Sequence, residues 1–149
     1  KVRKFERRFY DATVIDAVRF VPKSAFKKVD GFDLRFTGPE DWDFDKKIRG
    51  LGKTVLSVAY LEHDEGHFDF KHYLSKKSYY SKGFDIYTEK WGKDDPDIRK
   101  QLSLKYRFLG VFVEKGKYFN LLRHPILTLG MFFLRFMVGM LYLMRKTHK

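Results

Sequence analysis

The side chains best suited to chemistry form one short acidic run, Gly38-Pro39-Glu40-Asp41-Trp42-Asp43-Phe44, with Asp45 directly behind it. Glu40, Asp41 and Asp43 fall in the first turns of a segment whose Phe44, Ile48 and Leu51 recur at i, i+4 and i+7, one face of a helix. A carboxylate at a helix N-terminus is held rigidly, and the helix dipole favours its charged form. By residue type alone, the ordinary role of Asp41 and Asp43 is to stabilise the helix start. Three Asp-x-Asp pairs occur, at 41/43, 43/45 and 95/97. The first two sit in one helix and the third in a turn, so none reads as a diphosphate-binding pair. His63, His67 and His72 lie close in sequence, but no Cys accompanies them and their spacing matches no strong zinc site.

The elements around this run can be read in order. Thr13 to Pro22 (TVIDAVRFVP) is rich in β-branched residues and predicts a strand that Pro22 ends. Ser24 would cap a short helix over 25–29, closed by Gly31. Gly38-Pro39 is a turn pair, and the helix 41–51 follows, with Gly52 after it. Thr54 to Leu61 (TVLSVAYL) predicts a second strand, and His63 to Gly66 a loop. Asp69 to Trp91 reads as helix, Lys93 to Asp97 as a turn with Asp97 as cap, and Ile98 to Lys117 as a basic helix.

His124 to Met144 is the most apolar stretch, with Arg135 as its one full charge. Its length matches the roughly 30 Å hydrocarbon core at about 1.5 Å per residue. Arg135 at the centre costs about 2.5–3.5 kcal/mol on an insertion scale, and the apolar residues return on the order of 3–6 kcal/mol, so insertion is marginal. His124, Thr128, Arg135, Gly139 and Tyr142 share one helical stripe. That stripe fits a helix lying in a membrane interface, one packed on a partner, or one packed on the rest of the chain.

The chain has 149 residues, a net charge of +12, a pI near 9.8 and no cysteine. Disulfide frameworks and thiolate metal sites are excluded. Surplus positive charge points to an anionic partner. Charge is uneven: 1–28 carries nine Lys/Arg against three Asp/Glu, 29–66 nine acids against five bases, and 97–123 seven bases against two acids. The acidic island would interrupt a phosphate track, and no nucleic-acid-binding signature occurs, so nucleic acid is not the expected partner. No charged n-region followed by an apolar h-region opens the chain, which argues against a signal peptide at this end.

Two stretches resemble a known family. One runs from Arg19 through Pro22, Phe26 and Asp30-Gly31-Phe32-Asp33; the other is Glu40-Asp41-Trp42-Asp43, running on to Gly52. Together they are similar to the acceptor-side, carboxyl-terminal half of family 2 inverting glycosyltransferases of the GT-A fold. Asp30 stands where that family usually has Gly, Leu34 where Glu is common, and Lys47 where Arg is usual. The Gln-x-x-Arg-Trp signature of processive synthases is absent.

The resemblance implies an α/β (α+β) fragment with short strands and helices. It divides the chain into an acceptor-side part at 1–92, a basic helical connector at 93–123 and an apolar, membrane-associated helix at 124–149. It makes Asp41 the catalytic base, with Glu40 positioning the site, and gives acceptor-binding roles to Trp42, Asp43 and Arg19. It offers His63 as ligand to a divalent metal, Mg or Mn. The implied partners are a nucleotide-sugar donor, a glycan or lipid-linked acceptor, and the membrane surface, at the cytoplasmic face of the cell membrane. The nucleotide-binding half, in cis or in trans, would lie outside these residues, since 12 residues before the first strand leave no room for it. The fragment alone is then expected to be inactive. The alternative is a non-catalytic basic module binding membrane or nucleic acid.

Overall fold

The computed structural model describes residues 1–59, 67, 69–80 and 83–147. Their regular structure is helical, and no strand occurs among them. The α/β expectation is therefore overturned, and the reason is visible in the two segments read as strands. A strand needs a neighbouring backbone to satisfy its N–H and C=O groups. Over 13–22, side chains and turns take that role instead. The Thr13 hydroxyl donates to Tyr10 O at 2.7 Å and accepts from Ile15 N at 3.2 Å. Val14 O accepts from the Gln101 amide at 2.7 Å, and Val18 N donates to Asp45 Oδ1 at 3.0 Å. Side-chain bonds, local at Thr13 and long-range at Val14 and Val18, stand where a ladder would. The second segment has no regular structure over 53–57: Val55, Leu56 and Val58 are all exposed, and no ladder forms beside them among the described residues. β-Branched composition expresses a preference for a pleated, half-buried surface, and here no such surface is supplied.

The chain divides into two compact units: residues 1–16 with 88–149, and residues 17–87. The second unit holds α2 (Lys23–Lys28), α3 (Glu40–Leu51), α4 (Phe70–Tyr80) and the first half of α5 (Phe84–Trp91). α2 starts at Lys23, and no side-chain bond caps it, so Ser24 does not play the expected role. It ends where Asp30 (φ 57°) and Gly31 (φ 59°) both turn left-handed and Gly31 N reaches back to Phe26 O at 3.0 Å. Asp tolerates that conformation better than most residues. A Cβ on Gly31 would also meet the tip of the Phe26 ring at 2.8 Å, so a larger residue there would have to displace that ring.

α3 buries Asp43, Phe44 and Ile48. Phe44 packs against Phe32 (ring centroids 4.5 Å) and Phe26 (5.5 Å). Gly52 follows α3 in an extended conformation, not the left-handed cap expected of it. α4 is capped by Asp69, whose Oδ1 accepts from His72 N at 2.7 Å. The side chain of Tyr87 is fully buried and meets Phe36 edge-on at 5.9 Å.

The first unit is built on α1 (Val2–Arg7), which the sequence patterns did not indicate, and on α9 (Pro125–Thr147). Phe5 and Phe9 of the N-terminal segment join Val111, Phe112 and Met131 in one core. The rings of Phe5 and Phe9 meet edge-on at 5.2 Å, and those of Phe9 and Phe112 at 5.0 Å. Edge-to-face pairs of this kind add about 0.5–1.5 kcal/mol beyond area burial.

The expected basic helix over 98–117 is broken into pieces. α6 (Pro96–Gln101) is capped by Asp95, not Asp97: Asp95 Oδ1 accepts from Asp97 N and Ile98 N at 3.0 and 3.2 Å. Ser103 then interrupts the helix, and its Oγ accepts from Tyr106 N at 3.1 Å to start a π-helical turn over Tyr106–Gly110. That turn runs into α7 (Val111–Val113). Lys115 and Gly116 are both left-handed and separate α7 from α8 (Tyr118–Arg123).

The polar stripe of α9 faces the rest of its own unit. Thr128 Oγ1 donates to Leu121 O at 2.9 Å, the His124 ring that precedes the helix lies edge-on to Phe5 at 5.5 Å, and Gly139 lies under Phe108. Arg135 is buried: it pairs with Glu6, donates to Tyr10 Oη at 2.6 Å and to Arg107 O, and lies over the Phe112 ring at 4.8 Å. Of the three placements the stripe allowed, packing on the same chain is the one found. No helix among the described residues is long and apolar enough to cross a membrane.

Candidate functional site

The first turn of α3 brings four of the expected site residues together, and their environments differ sharply. The Asp41 side chain is 51% exposed, and its Oδ2 lies 3.5 Å from Nη1 of Arg19. Both partners are in water, so the attraction is worth only a few tenths of a kcal/mol, up to about 1. Arg19 therefore shares the space in front of Asp41 without locking it.

Glu40 turns back on its own loop. Its Oε2 accepts from Gly38 N, closing the Gly-Pro turn that leads into the helix. Gly38 is left-handed (φ 105°), and a Cβ there would come within 2.4 Å of Tyr80 O. The approach to the acidic turn is thus fixed by glycine geometry and by the Glu40 carboxylate together.

Asp43, two residues beyond Asp41, is fully buried. Its Oδ2 lies 3.5 Å from Lys47 Nζ, one helical turn on. Lys47 in turn donates to Gly31 O at 2.6 Å and Val29 O at 3.1 Å. Asp43 and Lys47 thus tie α3 to the end of α2. Asp45 acts similarly on the chain before α2, accepting from Val18 N and pairing with Arg49 at 2.7 Å. The i, i+4 spacing of Asp43 with Lys47 and of Asp45 with Arg49 is readable in the sequence, but their backbone partners are not.

Trp42 stacks on Phe84 with ring centroids 5.8 Å apart and 12° between planes, and it meets Tyr87 at 6.3 Å. The indole thus anchors α3 within unit 2. Beside the end of α2 lies an open depression of about 420 Å³ lined by Phe26, Lys27, Asp30, Gly31, Phe32 and Leu34. Aromatic edges with one acid and one base can meet a polar ligand that has apolar faces, a description that includes sugars.

His63 lies outside the described residues. Among those described, no three His, Cys, Asp or Glu side chains gather in a way that could hold a cation. What the geometry does supply is one water-accessible carboxylate, Asp41, on a helix start that its neighbours hold in place. Comparison with family models, curated proteins and solved structures gives no match for this chain.

Proposed function

We propose that residues 17–87 form the acceptor-side part of an inverting glycosyltransferase that uses a nucleotide-sugar donor, with Asp41 as the base. The observation that carries this reading is the division of labour in the first turn of α3. Asp43 is buried against Lys47 and Glu40 is folded onto Gly38 N, while Asp41 keeps half its surface in water beside Arg19. The Gly31-Phe32-Asp33 and Glu40-Asp41-Trp42-Asp43 pattern adds support through the family it resembles. The reading concerns this acidic turn and does not rest on a sheet.

In the proposed step an acceptor hydroxyl attacks the anomeric carbon of the donor. Its proton passes to the Asp41 carboxylate, and the bond from that carbon to the nucleoside diphosphate oxygen breaks, inverting the configuration. Arg19 orients the acceptor or the carboxylate. Glu40 and the Asp43–Lys47 pair position the turn that carries Asp41, and that rigidity is what converts an ordinary carboxylate into an oriented one. The donor is held by a nucleotide-sugar-binding part acting in cis or in trans.

The test is transfer measured with that donor-binding part present. Asp41→Asn is expected to lower turnover by about 10²-fold or more, the range for loss of a general base. Donor binding, followed by saturation-transfer NMR, is expected to stay as in the parent protein. Parent-like turnover in Asp41→Asn would reject the assignment.

A further inference from the structure

α9 is amphipathic in the inverse sense. Its polar stripe faces inward, where Thr128 and Arg135 are bonded and Met131 is fully buried. Its outward face carries Ile126, Leu129, Phe133, Phe136, Met140 and Leu143, each between 42% and 83% exposed. These positions are spaced 3, 4, 3, 4 and 3 apart, a straight seam over 18 residues. At 1.5 Å per residue the seam is about 25 Å long.

Such a seam invites a cover, and charge decides which. The unit that holds α9 carries 18 Lys/Arg against 8 Asp/Glu, a net of +10. Residues 17–87 carry 13 against 11, a net of +2. Nearly all of the chain's surplus therefore sits in the unit that carries the exposed seam. Arg123 is exposed just before it, and Arg145, Lys146 and Lys149 follow it in sequence. α1, which packs on α9, exposes Lys4 and Arg7, and the exposed Arg8 follows it. A second copy laid on the seam would bring two such positive units together. An anionic lipid surface matches both the seam and the charge. Spanning is a different matter: a spanning helix is apolar all round, and this one commits a face to Arg135 and Glu6.

We infer that the outward face of α9 lies in the plane of an anionic bilayer, with the apolar seam at the acyl boundary and the flanking basic residues among the headgroups. The inference stands on the first unit alone and is independent of the sugar-transfer reading.

The experiment uses the whole chain and two vesicle preparations, pure phosphatidylcholine and phosphatidylcholine with roughly 30 mol% phosphatidylserine, with co-sedimentation as the readout. Binding is expected on the anionic vesicles, about tenfold or more tighter than on neutral ones, and weakened by salt. The double substitution Phe133→Glu/Phe136→Glu is expected to lower that binding about tenfold or more while the helical circular dichroism and melting stay unchanged. Because the chain has no cysteine, single cysteines at Ile126, Phe133 and Met140 can carry a polarity-sensitive dye. Equal, shallow insertion of all three supports a helix in the plane. A depth profile with Phe133 at the bilayer centre and the other two nearer the surfaces would overturn it in favour of spanning. Absence of vesicle binding, or a chain that dimerises through the seam and loses dimerisation in the double variant, would overturn it as well.

Discussion

Arg135 and Glu6, 129 positions apart in the chain, form an ion pair in the interior of one unit. Tyr10 completes the arrangement: its hydroxyl donates to Glu6 at 2.5 Å and accepts from Arg135 at 2.6 Å. The rings of Phe112 and Phe108 lie 4.8 and 5.5 Å from the guanidinium carbon. The charge that makes α9 a poor membrane span is the same charge that fastens it to α1.

Removing one member should therefore cost more than removing both. Arg135→Met leaves the Glu6 carboxylate buried without its main partner, and a loss of about 3–5 kcal/mol is expected. Glu6→Leu together with Arg135→Met removes both charges and should recover most of that loss. Urea unfolding of the parent, the two single variants and the double variant closes the cycle. Additive losses would show that the pair is not coupled.

Asp41 and Asp43 should separate cleanly in stability. Asp43→Ala leaves Lys47 partly buried without its acid partner and opens a void, so a cost of about 3 kcal/mol is expected. Asp41→Ala, at an exposed position, is expected to fall within about 0.5 kcal/mol of the parent. Thermal melts of the two variants side by side make the measurement. Equal destabilisation would contradict the assignment of Asp43 to structure and Asp41 to chemistry.

Gly38→Ala should be among the more damaging single-methyl changes in the chain. The position is left-handed, which costs a β-carbon about 1–2 kcal/mol, and the new atom would approach Tyr80 O to 2.4 Å. A total of about 2–4 kcal/mol is expected once the backbone shifts to relieve the overlap. Amide hydrogen exchange should show the loss at the start of α3.

Alkaline pH should unfasten the first unit. Burial, followed by the hydrogen bond to Glu114, pushes the Tyr106 hydroxyl up to about 12 from its ordinary value of 10. Burial and the nearby Glu6 raise Tyr10 further. In the unfolded chain both hydroxyls ionise near 10, so between there and about 12 unfolding releases protons. The stability these groups contribute is therefore fully present below pH 10 and falls as pH rises through that window. Tyrosinate absorbance should show late-titrating groups, and Tyr106→Phe should flatten part of the decline in melting temperature. A melting temperature constant across the window would refute the sign.

Some of this was legible in the residues and some was not. α3 was readable because Phe44 and Ile48 repeat at helical spacing and its acids and bases sit at the ends the dipole favours. The close of α2 at Gly31 was readable because glycine takes up the left-handed backbone that ends a helix, as it does here. The strands were misread because β-branched composition at 13–22 and 54–61 says nothing about whether a partner backbone is present, and the Thr13 hydroxyl found a local one. α1 was missed because its Phe5, with Phe9 just beyond it, is buried by residues more than a hundred positions away. The stripe on α9 was recognised as a stripe, but its direction depends on Glu6, and no spacing within 124–144 could reveal that. The cap of α6 slipped by two residues, because Asp95 and Asp97 are chemically equivalent and only the backbone path distinguishes them.

The joining of α1 to α9 also sets an order of events during synthesis. Residues 17–87 are contiguous and can collapse as soon as they leave the ribosome. Phe5, Phe9 and Glu6 emerge before residues 17–87 yet reach their partners after them, because Met131 and Arg135 are translated more than a hundred residues later. For that whole interval the N-terminal segment presents uncovered rings and an acid without its base. A ribosome stalled before α9 would therefore hold residues 17–87 folded and the segment around Phe5 and Phe9 unfinished, a species suited to chaperone capture.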